Sequence, residues 1–368
     1  MISAVTYRRD LHQIPELGDQ LPETTAYVRA RLDALDLLVF SPTQGSVCAF
    51  LDAGKPETVA FRADMDALPV TEATGLPFAS VYPGKMHACG HDGHTAMLLS
   101  LAERALERRA ELPRNVLFLF QPAEETTGGA KLICEAGTLE KYRVSRVFGL
   151  HIWPNIEKGR VASRPGALLS RANEVDITIT GKSVHISRFR EGKDALTAGM
   201  EFLRLAYEMI ETLPPEERRL LRFGKMTSGT VRNALSAQTV LQGCLRTYRE
   251  ETYHFCQEQL ETIGRNVANE TGCAVDVHLN EGYPALWNNE ALYREAAAVL
   301  GPDAPLTLEE PFLATDDFSF FAQRVPGVFF FLGVGSAPEL HASNFTFDDE
   351  TVLPAGVAFM EKLLFEMP

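Results

Sequence analysis

The sequence predicts an α/β protein in two parts: a catalytic part whose mixed, mostly parallel sheet is flanked by helices, and an inserted α+β sandwich. Three observations predict it. Short apolar runs alternate with helical patterns up to about residue 165. Strands between 169 and 283 then alternate apolar and polar residues and are separated by long amphipathic helical stretches. The first style returns after 284, so the expected division is 1–168 with 284–368 around an insert of 169–283.

Helical spacing covers 23–36 and 94–110, and apolar strand-like runs cover 46–51, 58–63 (TVAFRA), 115–120 (NVLFLF) and 146–152 (RVFGLHI). Within the insert, NEVDITIT (173–180), TVLQGCLRTY (239–248) and CAVDVHL (273–279) read as strands with one wet face. Amphipathic helices at 194–213 and 251–270 complete a strand, helix, strand, strand, helix, strand order, the pattern of an open-faced sandwich. The closing segment offers a helix at 290–300, the strand VFFFLGV at 328–334 and a last helix at 351–366.

With 368 residues, 45% of them hydrophobic, the chain has material for two cores. Its 35 basic against 49 acidic residues give a net charge of −14, which argues against a nucleic-acid or anionic-membrane surface. The opening MISAVTYRRDLHQIPEL lacks the long apolar core of a signal peptide, and no apolar run reaches the roughly 18 residues of a membrane span, so a cytoplasmic location is expected. The six cysteines (Cys48, Cys89, Cys134, Cys244, Cys256 and Cys273) show no paired spacing and do not suggest a disulfide framework.

Four clusters carry potential metal ligands beside glycine, proline or an apolar run: MHACGHDGH (86–94), QPAEE (121–125), GLHIWP (149–154) and ELHASNF (339–345). In the first, Cys89 and His91 stand two apart, which on an extended segment turns both to one side, and Gly90 lets the backbone lie close. Thiolate with imidazole suits zinc, manganese, cobalt or nickel better than magnesium or calcium. In the second, adjacent carboxylates on a non-helical segment diverge, so one of Glu124 and Glu125 can bind metal while the other handles protons. Each cluster alone has a plainer explanation. Cys89 could be a buried thiol, Glu124–Glu125 an acidic turn opening a helix at Thr126, His151 a core histidine and His341 a surface one. Together they point to a metallohydrolase.

On its ordered motifs the chain resembles the di-metal aminoacylase and carboxypeptidase family, in the amidohydrolase branch that holds hippurate hydrolase, auxin-conjugate hydrolases and N-acetyldiaminopimelate deacetylase. The motifs are RRDLHQIPELG (8–18), FRADMDALPV (61–70), TGLPFAS (74–80), MHACGHDGHT, FLFQPAEE, GLHIWP, GKSVH (181–185), LQGCLRTY (241–248) and DDFSFF (316–321).

The resemblance implies two divalent ions held by Cys89, His91, Glu125, His151 and His341, with Glu124 as general base and Asp64 orienting a ligand imidazole. It further implies a homodimer formed through the insert, His185 stabilising the oxyanion from the insert, and Asn233 and Arg246 binding the substrate carboxylate. For Arg246 a strand-face salt bridge is the competing reading. The implied reaction is hydrolysis of an N-acyl amino acid. A dipeptidase or aminopeptidase is the alternative, with Asp316 and Asp317 as a possible anchor for a free amine, and a catalytically silent binding protein is a third reading. The chain departs from the resemblance at Ile186, Phe189 and Arg190 after the insert histidine, and at Asp316, where a longer carboxylate is usual.

Overall fold

The computed structural model describes residues 3–367. They divide into two compact units, one of residues 3–168, 287–311 and 316–367, the other of residues 169–286 with 312–315. The sequence pattern leaves 312–315 with the returning segment. These residues cluster instead with the insert, where Tyr248 Oη donates to the Phe312 carbonyl at 2.7 Å.

In chain order the strands are β1 (Leu38–Phe40), β2 (Val47–Leu51), β3 (Thr58–Asp64), β4 (Asn115–Gln121), β5 (Val144–Trp153), β6 (Val161–Ser163), β7 (Gly166–Leu169), β8 (Arg171–Thr180), β9 (Leu220–Ser228), β10 (Gln238–Thr247), β11 (Ala274–Leu279), β12 (Leu286–Asn288), β13 (Leu306–Thr307) and β14 (Gly327–Gly333). Eight of them form the large sheet of the first unit, in the order β1-β2-β4-β3-β5-β14-β6-β13. Its centre is parallel: β3 pairs in parallel with β4 and β5, and β14 with β5. The antiparallel pairs lie outside that centre.

Every residue of β3, β4 and β14 is buried. A sheet covered on both faces needs such unbroken apolar runs, which is why TVAFRA, NVLFLF and VFFFLGV do not alternate. Leu98, Leu101 and Ala102 of the helix His91–Glu107 and Val352, Leu353 and Leu363 of the helix Asp349–Glu366 belong to the same core as Phe61, Phe118 and Phe330.

The second unit is a four-stranded antiparallel sheet in the order β11-β8-β10-β9. Here the strands alternate as expected: Val175, Ile177 and Ile179 of β8 are fully buried, in one core with Phe202 and Ala206 of the helix Ala195–Ile210 and Leu260 and Val267 of the helix Glu250–Thr271. No helix among the described residues is long and apolar enough to cross a membrane.

Candidate metal centre

The carboxyl ends of parallel strands are where open α/β sheets bind ligands, and the first unit gathers its polar residues there. Asp64 ends β3, the turn carrying Glu124 and Glu125 follows β4, and His151 lies near the end of β5.

Cys89 and His91 reach the site by a route that differs from the expected extended segment. Gly90 adopts a left-handed conformation (φ +83°), and His91 opens the helix that runs to Glu107. A side chain at Gly90 would place its Cβ 2.0 Å from Ile152 Cδ1, so glycine is required both by conformation and by space. The acidic pair also differs from its plain alternative. Glu124 and Glu125 sit in a turn after Ala123 (φ +58°), and the following helix begins only at Gly129. Asp66, which the sequence reading passed over, fixes that turn: its two carboxylate oxygens accept the amides of Glu124 and Glu125 at 3.0 and 3.1 Å.

The expected ligands of this unit come together. His91 Nδ1 donates to the Asp66 carbonyl at 2.8 Å, which leaves Nε2 as the basic nitrogen, buried and without a hydrogen-bond partner. His151 Nδ1 donates to the Ile152 carbonyl at 2.7 Å and turns Nε2 towards Cys89 Sγ at 3.5 Å. Glu125 Oε1 is also buried, 3.2 Å from His341 Nε2, its one close partner, and 3.9 Å from His91 Nε2. His341 is held by its own amide, which donates to the Ala88 carbonyl at 2.8 Å, and its backbone is left-handed (φ +68°). Ligand atoms of Cys89, Glu125 and His341 lie within 4.8 Å of one another, as do those of His91, Glu124 and Glu125.

Asp64 makes its short contact to His94, which the sequence reading left without a role. Its Oδ1 lies 2.6 Å from His94 Nδ1, and His94 Nε2 accepts the Ile152 amide at 2.9 Å. Burial lowers the pKa of His94 against the pull of Asp64, so the ring is neutral, donates at Nδ1 and accepts at Nε2. Both nitrogens are thus used. The other Asp64 oxygen, Oδ2, lies 3.7 Å from His91 Nε2. The sequence signal for His94 was its place three residues after His91, one helical turn on.

The electrostatics are those of a site built for cations. Burial pushes the carboxyl of Glu124 well above the usual range, reinforced by Asp316, Glu125 and Asp317. Burial and then Glu125, Glu124 and Asp64 push the Cys89 thiol well above its usual value. The orphaned His91 Nε2, with the Glu125 carboxylate, a thiol and further imidazoles around it, fits divalent ions with a preference for nitrogen and sulfur ligands.

Asp316 and Asp317 do not form an open anchor for a substrate amine. They are 3% and 0% exposed. Asp317 accepts both from Arg62 Nη2 at 2.8 Å and from Gln121 Nε2 at 2.7 and 2.8 Å.

In the second unit, His185 and Asn233 are brought together: His185 bridges Ala234, and the Ile186 amide donates to the Asn233 carbonyl at 3.0 Å. His185 Nδ1 accepts the Ser187 amide at 3.3 Å and lies 2.8 Å from Ser187 Oγ, leaving Nε2 to carry the proton of the neutral ring. Arg246 lies on β10, its Nη1 buried without a hydrogen-bond partner, and it makes no ion pair among the described residues.

A metal-type site at the carboxyl end of a mostly parallel sheet, with an α+β unit inserted in the chain, defines a class of amide-bond hydrolases, and residues 60–366 match the profile of Peptidase family M20/M25/M40. The chain belongs to that family and is a hydrolase of amide bonds. It is 34% identical over 374 residues to the N-acetyldiaminopimelate deacetylase of Streptococcus uberis, covering 98% of this chain and 99% of that one. To the enzyme of the same name from Lacticaseibacillus paracasei it is 33% identical, covering 98% of each. A Bacillus subtilis crystal structure described as a dinuclear metal-binding peptidase of the M20 family superposes with a TM-score of 0.86 at 29% identity, covering 98% of this chain and 96% of that one.

Proposed function

We propose that this chain is a metal-dependent amidohydrolase that cleaves the amide bond of an N-acyl amino acid, releasing a carboxylic acid and an amino acid. One observation carries the reading: donor atoms of Cys89, Glu125 and His341 form one close group, linked through Glu125 and His91 to a second that holds Glu124 and a third that holds His151, with His91 Nε2 buried and unpartnered among them. The site takes two divalent ions, manganese or zinc before cobalt or nickel, held by Cys89, His91, Glu125, His151 and His341. When bound, the ions supply a water of lowered pKa and an electrophile for the amide oxygen.

The side chains do the rest. Glu124 takes the water's proton and delivers it to the departing nitrogen, a task suited to a carboxyl whose proton affinity is raised by burial and by neighbouring carboxylates. Asp64 fixes His94 and faces His91, and Asp66 fixes the turn that carries both glutamates. His185, with a proton on Nε2, donates to the oxyanion, and Asn233 with Arg246 binds the substrate carboxylate. The inserted unit acts as lid and homodimer contact. The named deacetylase relatives support an acylated amino acid as the substrate class.

The test compares the metal-loaded chain with Glu124→Gln on a panel of N-acyl amino acids, reading amine release. The parent should turn over at least one member, and the variant should retain metal while losing about a hundredfold or more in kcat. No release by the parent would overturn the reading, and equal release by both would remove Glu124 from its role.

A further inference from the structure

Arg62, the second residue of FRADMDALPV, is 5% exposed and donates in three directions beside the site. Its Nε donates to Gln121 Oε1 at 2.8 Å, its Nη1 to Asp64 Oδ2 at 2.6 Å, and its Nη2 to Asp317 Oδ1 at 2.8 Å. Asp316 Oδ1 lies 3.2 Å from the same Nη2. Around this fork the partners hold one another: Gln121 Nε2 donates to both oxygens of Asp317, the Ala130 amide donates to Asp317 Oδ2 at 3.0 Å, and the Phe318 amide donates to Asp316 Oδ1 at 2.7 Å.

The two ends of the network border different parts of the site. On one side Arg62 grips one oxygen of Asp64, whose other oxygen holds His94, so the carboxylate cannot rotate where it faces His91. On the other side it grips Asp316 and Asp317, carboxylate atoms of which lie within 4.8 Å of Glu124 and of each other. Gln121, held by the same guanidinium, is the last residue of β4, from which the Glu124–Glu125 turn departs.

We propose that Arg62 is a positioning residue which sets the ligand side and the proton-transfer side of the site in one mutual geometry. The proposal rests on the amidohydrolase reading for its kinetic part only. A planar fork that donates in three directions has no substitute in the single ammonium of lysine, although lysine keeps the charge.

The experiment uses the full chain with Arg62→Lys and Asp316→Asn, and reads manganese affinity by chelator competition, thermal midpoint, kcat and KM. Arg62→Lys should remain folded, bind manganese about tenfold more weakly and lose about a hundredfold in kcat with KM within about threefold. Asp316→Asn leaves the contact of Arg62 with Asp64 in place and should lose about tenfold in kcat with manganese affinity within about twofold of the parent. A purely structural arginine would lower the thermal midpoint of Arg62→Lys while the folded variant kept manganese affinity and kcat within twofold of the parent, and that result overturns the proposal. If Arg62→Lys does not fold, a kcat for Asp316→Asn within twofold of the parent overturns it equally. If the parent shows no turnover, the amidohydrolase reading fails by itself, and unchanged manganese affinity in Arg62→Lys still rejects the positioning role.

Discussion

Asp66 holds Glu124 by the backbone, accepting its amide at 3.0 Å, and its second oxygen holds the amide of Glu125 at 3.1 Å. A single buried carboxylate thereby sets the direction of two acidic side chains. Asp66→Ala removes two charge-assisted hydrogen bonds, with an expected cost of about 2 to 4 kcal/mol in chemical denaturation. Activity should fall more steeply than stability, because both glutamates lose their aim. A variant with parental kcat would show that the turn holds its shape without Asp66.

Cys89→Ser exchanges the thiol proposed as a ligand for a hydroxyl in a buried setting. Elemental analysis after dialysis should find less metal per chain, and zinc affinity should fall by a larger factor than manganese affinity. Unchanged stoichiometry would remove Cys89 from the ligand set.

Gly90→Ala combines a left-handed backbone with a Cβ placed 2.0 Å from Ile152 Cδ1. The expected cost is about 3 to 5 kcal/mol, visible as a fall in thermal midpoint or in soluble yield. Gly54, also left-handed but with open space around it, is the control and should lose much less on the same change.

His12 gives the chain a pH-dependent share of its stability. Burial disfavours the charged ring, but the Asp92 carboxylate 2.7 Å from Nδ1, helped by Glu72, outweighs it and raises the pKa to about 9. With the folded pKa above the unfolded value of 6.5, the contribution is fully present below pH 6.5 and fades as pH rises through about 9. The shift corresponds to about 3 kcal/mol as an upper figure. Urea midpoints of the parent and His12→Gln should therefore differ at pH 6 and converge by pH 10. A constant difference across that range would refute the ion pair.

Arg246→Ala tests the substrate-carboxylate assignment. Among the described residues the guanidinium has no ion-pair partner to lose, so stability should change by less than about 1 kcal/mol while KM for an N-acyl amino acid rises about tenfold or more. An unchanged KM would leave the arginine without that role.

The large sheet was legible because buried parallel strands write themselves as unbroken apolar runs, and the inserted sheet because Val175, Ile177 and Ile179 alternate with wetter residues. The clustering of Cys89, His91, Glu125, His151 and His341 was legible only as an ensemble, since no local pattern marks a lone His151 or His341. What escaped was the supporting layer. Asp66 acts through carboxylate-to-amide bonds across the chain, Arg62 through partners up to 255 positions away, and His94 through an amide of β5. Most of these partners meet only after folding; the helical spacing of His94 after His91 is the one local trace. The local geometry around Gly90 was also misread, because a two-residue spacing looks the same whether the backbone is extended or turns through a left-handed glycine.

β14, near the end of the chain, lies inside the large sheet, hydrogen-bonded to β5 on one side and β6 on the other. A nascent polypeptide that has not yet released residues 327–333 therefore has a gap in the sheet beside the strand that carries His151, and His341 lies further along still. No early fragment can assemble the whole donor set, however well its own strands have paired. Under the proposed ligand set, a chain that ends before His341 lacks one donor, and one that ends before β14 also lacks a strand beside the one that carries His151.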